Sequence, residues 1–247
     1  MSTTQTSVEL DAEAQARADL LACLHGAVVH DFHEGIDNHF SLAVPGSRDR
    51  FLLNPYGGHW SELRAADLLL IDGTGKVIGE GEAETTAFVL HSRLHRARPD
   101  ARCVLHAHMP YATAVSVLAD GFDTRLSQNA MKFHGRVAWA EPYNGRIVDA
   151  AEGDRLAAMA ADGARVVFLA NHGVLVIAES AAHAWWDLYF LERACQVQVL
   201  ASGAGDRRRV PEAVAAMTAA QFEEERDDGA PRLLAAVRRM AFARFGS

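Results

Sequence analysis

The sequence predicts an α/β domain, and three observations predict it. Apolar runs of strand length, Val-Val-Phe-Leu at 166–169 and Val-Leu-Val-Ile at 174–177 among them, alternate with segments whose apolar residues recur at helical spacing. Asp72-Gly-Thr-Gly75 sits between two short apolar runs and is a hairpin signal. Of 247 residues 49% are apolar, enough to bury a sizeable core. A polar linker at 203–211 separates a domain over residues 1–203 from a helical carboxy-terminal extension over 204–247.

Composition narrows the partners. A formal net charge of -8 and a pI near 5.8 argue against nucleic acid or an anionic membrane, both of which need a basic face. The cluster Arg207-Arg-Arg209 reads as a solvated turn. No stretch approaches about 18 uninterrupted apolar residues, so no membrane span is expected. Cys23, Cys103 and Cys195 are odd in number and widely spaced, which implies no disulfide framework and suits a reducing compartment. The first residues, Met-Ser-Thr-Thr-Gln-Thr-Ser, lack the basic and then apolar pattern of a secretory signal, so the expected location is cytoplasmic.

The elements follow in order. Residues 8–31 carry Leu10, Leu20, Leu21, Leu24 and Val28 near a helical period, as a packing helix does. A glycine-containing loop bearing His33 and His39 then feeds a strand at 40–44. The strand at 50–54 ends in a tight turn, where Pro55 fixes its own φ and Gly57-Gly58 can take positive φ. Strands at 67–71 and 76–79 flank the hairpin turn. Its glycines do not make a phosphate loop, because no helix start follows and no Gly-Lys-Ser/Thr occurs. Residues 84–98 form a helix, with Thr85 or Thr86 placed to cap its first turn and Pro99 to end it. On it His91 and His95 have the spacing of a helical metal pair, but the usual intervening Glu is absent and they read as a core or interface face.

Pro110 suits the first position of a helix running to about residue 118. Residues 124–134 read as a polar loop of the kind that lines a pocket, with Gln128, Asn129, Lys132 and His134. A short strand at 137–139, a turn at 141–145 and an alanine-rich helix at 149–162 come next. The two apolar runs around Asn171-His-Gly173 form a bent pair. A long helix starts at Ser180, and its Trp185, Trp186 and Tyr189 suggest burial or a subunit contact. The remainder reads as amphipathic helix broken near Gly229-Ala-Pro231.

Chemistry concentrates in Arg102-Cys-Val-Leu-His-Ala-His-Met-Pro110. On a strand His106 and His108 share one face, roughly 6.6 Å apart along it. His172 closes a second apolar strand and is followed by a glycine, where a strand turns. Two imidazoles from one strand end and one from another would hold a divalent ion and leave it a position for substrate.

With Asn38-His-Phe-Ser41, Leu53-Asn-Pro-Tyr-Gly57, Asp67-Leu-Leu-Leu-Ile-Asp-Gly-Thr-Gly-Lys76, His91 followed by Arg98-Pro-Asp100, His106-Ala-His108 and Asn171-His-Gly173 in this order, residues 18–203 resemble the class II aldolase/adducin family. The resemblance implies a three-layer α/β/α fold with a mainly antiparallel central sheet. It also implies a divalent metal on His106, His108 and His172, with zinc expected and manganese or iron as alternatives, and commonly a homotetramer with sites at subunit interfaces. Substrate contacts are implied for Asn38, Asn54, Gly57, Thr85 and Thr86.

The departures bear on function. In the sugar-phosphate aldolases of this family a Ser-Ser-Glu triplet precedes the helix; its serines bind phosphate and its glutamate is the acid/base. The same positions here hold Thr85-Thr86-Ala87, and alanine transfers no proton. Glu84, one helical turn earlier, could substitute only if the local backbone differs. The Gly-Asn of the phosphate cradle aligns with Asn38-His39, and an arginine expected shortly after is Ala43. The resulting expectation is a metal-dependent carbon–carbon lyase, by aldol cleavage or decarboxylation, for a small unphosphorylated keto or hydroxy carboxylate. Proton transfer falls to His39, His134 or His91, with His39 favoured because its position touches substrate in the aldolases. Two other readings stand beside it. One is a non-haem iron oxygenase, which a three-histidine site without the glutamate suits. The other is a non-catalytic adducin-like interaction domain, although adducin-like heads have generally lost the ligands that are all present here.

Overall fold

The computed structural model describes residues 3–47, 49–147, 149–160 and 163–246, with side chains from residue 11 onward. Its strands are β1 (His39–Ala43), β2 (Phe51–Leu53), β3 (Leu69–Ile71), β4 (Val77–Ile78), β5 (Cys103–Ala107), β6 (Val137–Ala140), β7 (Val166–Leu169) and β8 (Gly173–Ala178). They form one sheet in the order β4-β3-β2-β1-β5-β8-β7-β6. Every neighbouring pair is antiparallel except β6 and β7. The helices are α1 (Thr3–His30), α2 (Thr85–Ala97), α3 (Pro110–Ser116), α4 (Gln128–Met131), α5 (Ala150–Met159), α6 (Ala181–Ser202) and α7 (Glu212–Phe245). Among the described residues, no helix is long and apolar enough to cross a membrane.

Strand alternation sorts the core into layers. In β5, Cys103, Leu105 and Ala107 enter one cluster with Leu20 and Leu24 of α1, Val115 of α3, Leu188 of α6 and Val237 of α7. Val104 points the other way, into a cluster with Leu90 and Leu94 of α2 and Leu156 of α5. Helices therefore cover both faces of a mainly antiparallel sheet, as the family resemblance implied. Each fully buried Leu, Val or Phe in these layers contributes about 1.5–3 kcal/mol. The alternation also decides the site: His106 follows Val104 onto the α2 side, and on β1 the residues His39 and Ser41 face that side while Phe40 and Leu42 enter the α1 cluster.

Local chemistry explains the element ends. The Asp72 carboxylate accepts from Thr74 N (2.9 Å), Thr74 Oγ1 (2.6 Å) and Lys76 N (3.1 Å), which closes the β3–β4 turn over Gly75 at φ 94°. Ser180 caps α6 by accepting from His183 N, Asp149 caps α5 from Glu152 N, and Pro110 opens α3.

Three expectations are corrected. The segment 124–134 is not all loop: Ser127 caps the short α4, and Lys132 is buried with its ammonium 3.3 Å from the Phe222 ring centroid and 4.6 Å from that of Trp186. The cap of α2 is Glu84 rather than Thr85 or Thr86, because its carboxylate accepts from Ala87 N at 2.8 Å. The last helix is not broken at 229–231, and α7 continues through Pro231. Packing outweighs the lost hydrogen bond there: a β-carbon on Gly229 would lie 2.7 Å from the Trp186 ring, and Ala230 and Leu234 are buried beside it in sequence. The end of the expected alanine-rich helix, Ala161 and Asp162, lies outside the described residues.

Candidate metal centre

The ligand nitrogens of His106, His108 and His172 all lie within 4.8 Å of one another. His106 is the penultimate residue of β5, His108 is one residue past its end, and His172 is in the turn joining β7 to β8. Asn171, at φ 59°, turns the chain, and His172 N donates to Leu169 O at 3.0 Å. The glycine after His172 is needed for closeness rather than for the turn itself. A β-carbon on Gly173 would meet Ala107 O and His108 Cδ2, each at 2.8 Å. Ring centroids of the three imidazoles are 4.7 to 4.9 Å apart, so the rings lean together from the end of β5 and the β7–β8 turn.

Their hydrogen bonds fix which nitrogen is free. His106 Nδ1 donates to Val174 O at 3.0 Å, and His108 Nδ1 donates to the Glu34 carboxylate. A carbonyl and a carboxylate only accept, so each ring in its neutral, metal-ligating form leaves Nε2 bare. Those two Nε2 atoms face each other at 3.1 Å. Two lone pairs at that distance repel unless a cation lies between them. Nitrogens that each sit about 2.0–2.1 Å from a tetrahedral zinc are about 3.3 Å apart, so the pair suits a shared ion. Burial pushes the His106 imidazolium well down from its ordinary range, helped by His39, His172 and His108. Burial and then His108 push His172 down to about 4. Neutral imidazole is the form that ligates.

The three rings line a cleft of about 500 Å³ shared with Asn38, His39, Asn54, Tyr56, Glu84, Thr86, Ala87, Tyr143 and Arg146. His39 opposes His106 across the β1–β5 pair, with ring centroids 4.7 Å apart. Asn38, at φ 77°, accepts from His108 N through Oδ1 at 3.3 Å, while its buried Nδ2 has no hydrogen-bond partner. Asn54 serves the backbone: its Oδ1 accepts from Phe40 N at 2.8 Å and its Nδ2 donates to Asn38 O at 3.4 Å. Glu84 and Thr86 are on the wall, but the Thr86 hydroxyl donates to the Glu84 carboxylate, which also accepts from Ala87 N.

Other expected residues are elsewhere in the chain. Thr85 and Gly57 are exposed and do not line this cleft. His134 is not brought to it either, because Thr124 Oγ1 (2.9 Å) and Glu212 (2.9 Å) hold its ring. His33 pairs with His59 at 3.0 Å. Sequence reasoning missed Glu34, Tyr143 and Arg146. Glu34 lay in plain view beside His33, but only the folded loop joins it to a residue 74 positions away. Arg146 follows the turn glycine Gly145 and forms an ion pair with Glu84 at 3.3 Å. A second convergence of metal-type ligands, Glu179, His183 and Asp227, is a different case, since the Arg226 guanidinium already neutralises Glu179 at 2.7 Å.

Comparison with known proteins identifies the family and the fold. The family model described as "Class II Aldolase and Adducin N-terminal domain" matches residues 18–199. Decarboxylase NovR of Streptomyces niveus is 32% identical over 219 residues, 86% of this chain and 80% of that protein. The 4-hydroxy-3-prenylphenylpyruvate oxygenase/4-hydroxy-3-prenylbenzoate synthase of Streptomyces roseochromogenus subsp. oscitans is also 32% identical over 219 residues, 86% of this chain and 78% of that one. A crystal structure of an aldolase II superfamily protein from Pseudomonas syringae superposes with a TM-score of 0.86 at 33% identity, covering 94% of each chain.

Proposed function

The chain belongs to the class II aldolase and adducin N-terminal domain family, and from that premise we propose that it is a divalent-metal-dependent carbon–carbon lyase. Its substrate would be a small unphosphorylated keto or hydroxy carboxylate, and its reaction aldol cleavage or decarboxylation. The observation that carries this reading is the pair of bare Nε2 atoms of His106 and His108 at 3.1 Å, with His172 beside them in an open cleft.

His106, His108 and His172 would hold the ion, and its Lewis acidity would stabilise the negative charge that develops when the neighbouring carbon–carbon bond breaks. The unpartnered Nδ2 of Asn38 supplies a donor for a substrate oxygen, since its Oδ1 is already engaged by His108 N. Arg146 adds a guanidinium at the cleft wall that suits a carboxylate. His39, whose Nδ1 is committed to His91 at 2.7 Å, offers its other nitrogen to accept or return the proton. The Thr86 hydroxyl, at the position of a phosphate-binding serine in the sugar-phosphate aldolases, is occupied by the Glu84 carboxylate, which disfavours a sugar phosphate. The name of the NovR relative supports decarboxylation among the two reactions. We further propose that the chain assembles as a homotetramer in the cytoplasm and uses zinc.

Protein purified without chelator, assayed for metal content and for carbon dioxide or aldehyde release from a panel of aromatic and aliphatic keto and hydroxy acids, tests this. About one divalent ion per chain and turnover of at least one such acid are expected, with both lost in His108→Ala. Oxygen uptake by an iron-loaded protein would replace the lyase with an oxygenase. A folded protein with neither metal nor turnover would leave an interaction domain.

A further inference from the structure

Behind His39 an unbroken series of hydrogen bonds runs away from the metal centre. His39 Nδ1 is 2.7 Å from His91 Nε2, and His91 Nδ1 is 2.5 Å from Ser41 Oγ. Ser41 Oγ is 2.7 Å from His95 Nε2, and His95 Nδ1 is 2.5 Å from the Ala101 carbonyl oxygen. Two periodicities build it. His39 and Ser41 are two apart on one face of β1, and His91 and His95 are four apart on the face of α2 packed against it.

One end of the series is unambiguous, and it sets all the rest. The Ala101 oxygen can only accept, so His95 Nδ1 carries a proton and the neutral ring presents Nε2 as an acceptor. Ser41 has one hydroxyl proton and donates it there, so its oxygen accepts from His91 Nδ1. His91 Nε2 is then an acceptor, and it takes the Nδ1 proton of His39. His39 Nε2 is left without a proton, on a residue that lines the cleft. Among the described residues no carboxylate is hydrogen-bonded to any member of the series, and His91 and Ser41 are fully buried, so nothing favours an extra charge.

We propose that Ser41, His91 and His95 are positioning residues that lock His39 in its Nδ1–H tautomer and so reserve Nε2 as the proton-accepting atom of the cleft. A second group on the far nitrogen orients a catalytic imidazole in the same way in other enzymes; here neutral rings and a hydroxyl take that part. The assignment rests on His39 as the proton-transfer group of the proposed lyase. It adds three residues whose side-chain hydrogen bonds go to one another, to His39 and to the Ala101 carbonyl rather than to the proposed metal ligands.

Long-range proton–nitrogen spectra of the zinc-loaded protein, labelled with nitrogen-15 in histidine, report which ring nitrogen is protonated. The wild-type spectrum is expected to show His39 with a protonated Nδ1 and a bare Nε2. Ser41→Ala interrupts the series, and His39 should then populate both tautomers, with kcat down at least tenfold, KM within threefold and bound zinc unchanged. His95→Gln can accept from Ser41 and donate to Ala101 through its carboxamide, so it should keep the single tautomer and a kcat within threefold of wild type. A wild-type His39 protonated at Nε2 overturns the proposal without any variant, and so does an unchanged tautomer in Ser41→Ala. The spectra need no substrate. A locked His39 in a protein without lyase turnover overturns the function alone, whereas lyase turnover with His39 protonated at Nε2 overturns the positioning alone.

Discussion

A β-carbon on Gly173 would lie 2.8 Å from Cδ2 of His108, so the residue after one proposed ligand leaves room for the ring of another. The same β-carbon would meet Ala107 O at 2.8 Å, in the β5–β8 pairing itself. Backbone cannot yield as cheaply as a side chain, and the His108 ring would be displaced.

Gly173→Ala should therefore weaken metal binding at least tenfold and cost about 1–3 kcal/mol of stability by overpacking. Calorimetric titration with zinc, beside urea denaturation of the metal-free protein, measures the two effects separately. Unchanged affinity would show that His108 does not need this gap.

Glu34 holds His108 through Nδ1, and its charge also acts on His172. Removing such a partner commonly costs 10–100-fold in metal affinity. Glu34→Ala is expected to fall in that range while folding normally, because its side chain is more than half exposed. Competition against a chromogenic chelator reads the change.

Glu84 is engaged as the cap of α2 and as the partner of Thr86 and Arg146. Glu84→Gln should lower stability by about 0.5–2 kcal/mol, as loss of a cap does, and leave kcat within a few-fold. Thermal melts and steady-state kinetics on the same preparation test this. A loss above a hundredfold with metal retained would make Glu84 the acid/base.

Burial pushes His95 down to about 4, against an ordinary value of 6.5; the Ala101 carbonyl opposes the shift and Arg102 adds to it. The unfolded chain therefore binds a proton between these values that the folded protein refuses, and stability falls as pH drops through this window. For this one group the loss is on the order of a few kcal/mol. Urea midpoints of the metal-free protein should fall between pH 7 and 5, and less steeply in His95→Gln. Parallel profiles would place the titration elsewhere.

The legible part of the site was the part written in local periodicity. His106 and His108 alternate along one strand, His172 ends another, and the Asp72 turn announces its own hairpin. The His39–His91–Ser41–His95 series was not legible, because it needs the register of β1 on β5 and the docking of α2. His91 and His95 were read correctly as an inward face, yet their partner was a strand serine 50 positions earlier. Gly229 and Pro231 misled for a related reason. Local propensity favours a break there, and the Trp186 ring against Gly229 lies on a different helix.

The shared ion is tested most directly by X-ray absorption at the metal edge, on protein purified without chelator and on His172→Ala. The account predicts about three nitrogen scatterers with imidazole multiple scattering at about 2.0–2.1 Å in the wild type, and one fewer in the variant. A wild-type spectrum without imidazole scattering, or one that His172→Ala leaves unchanged, would contradict it.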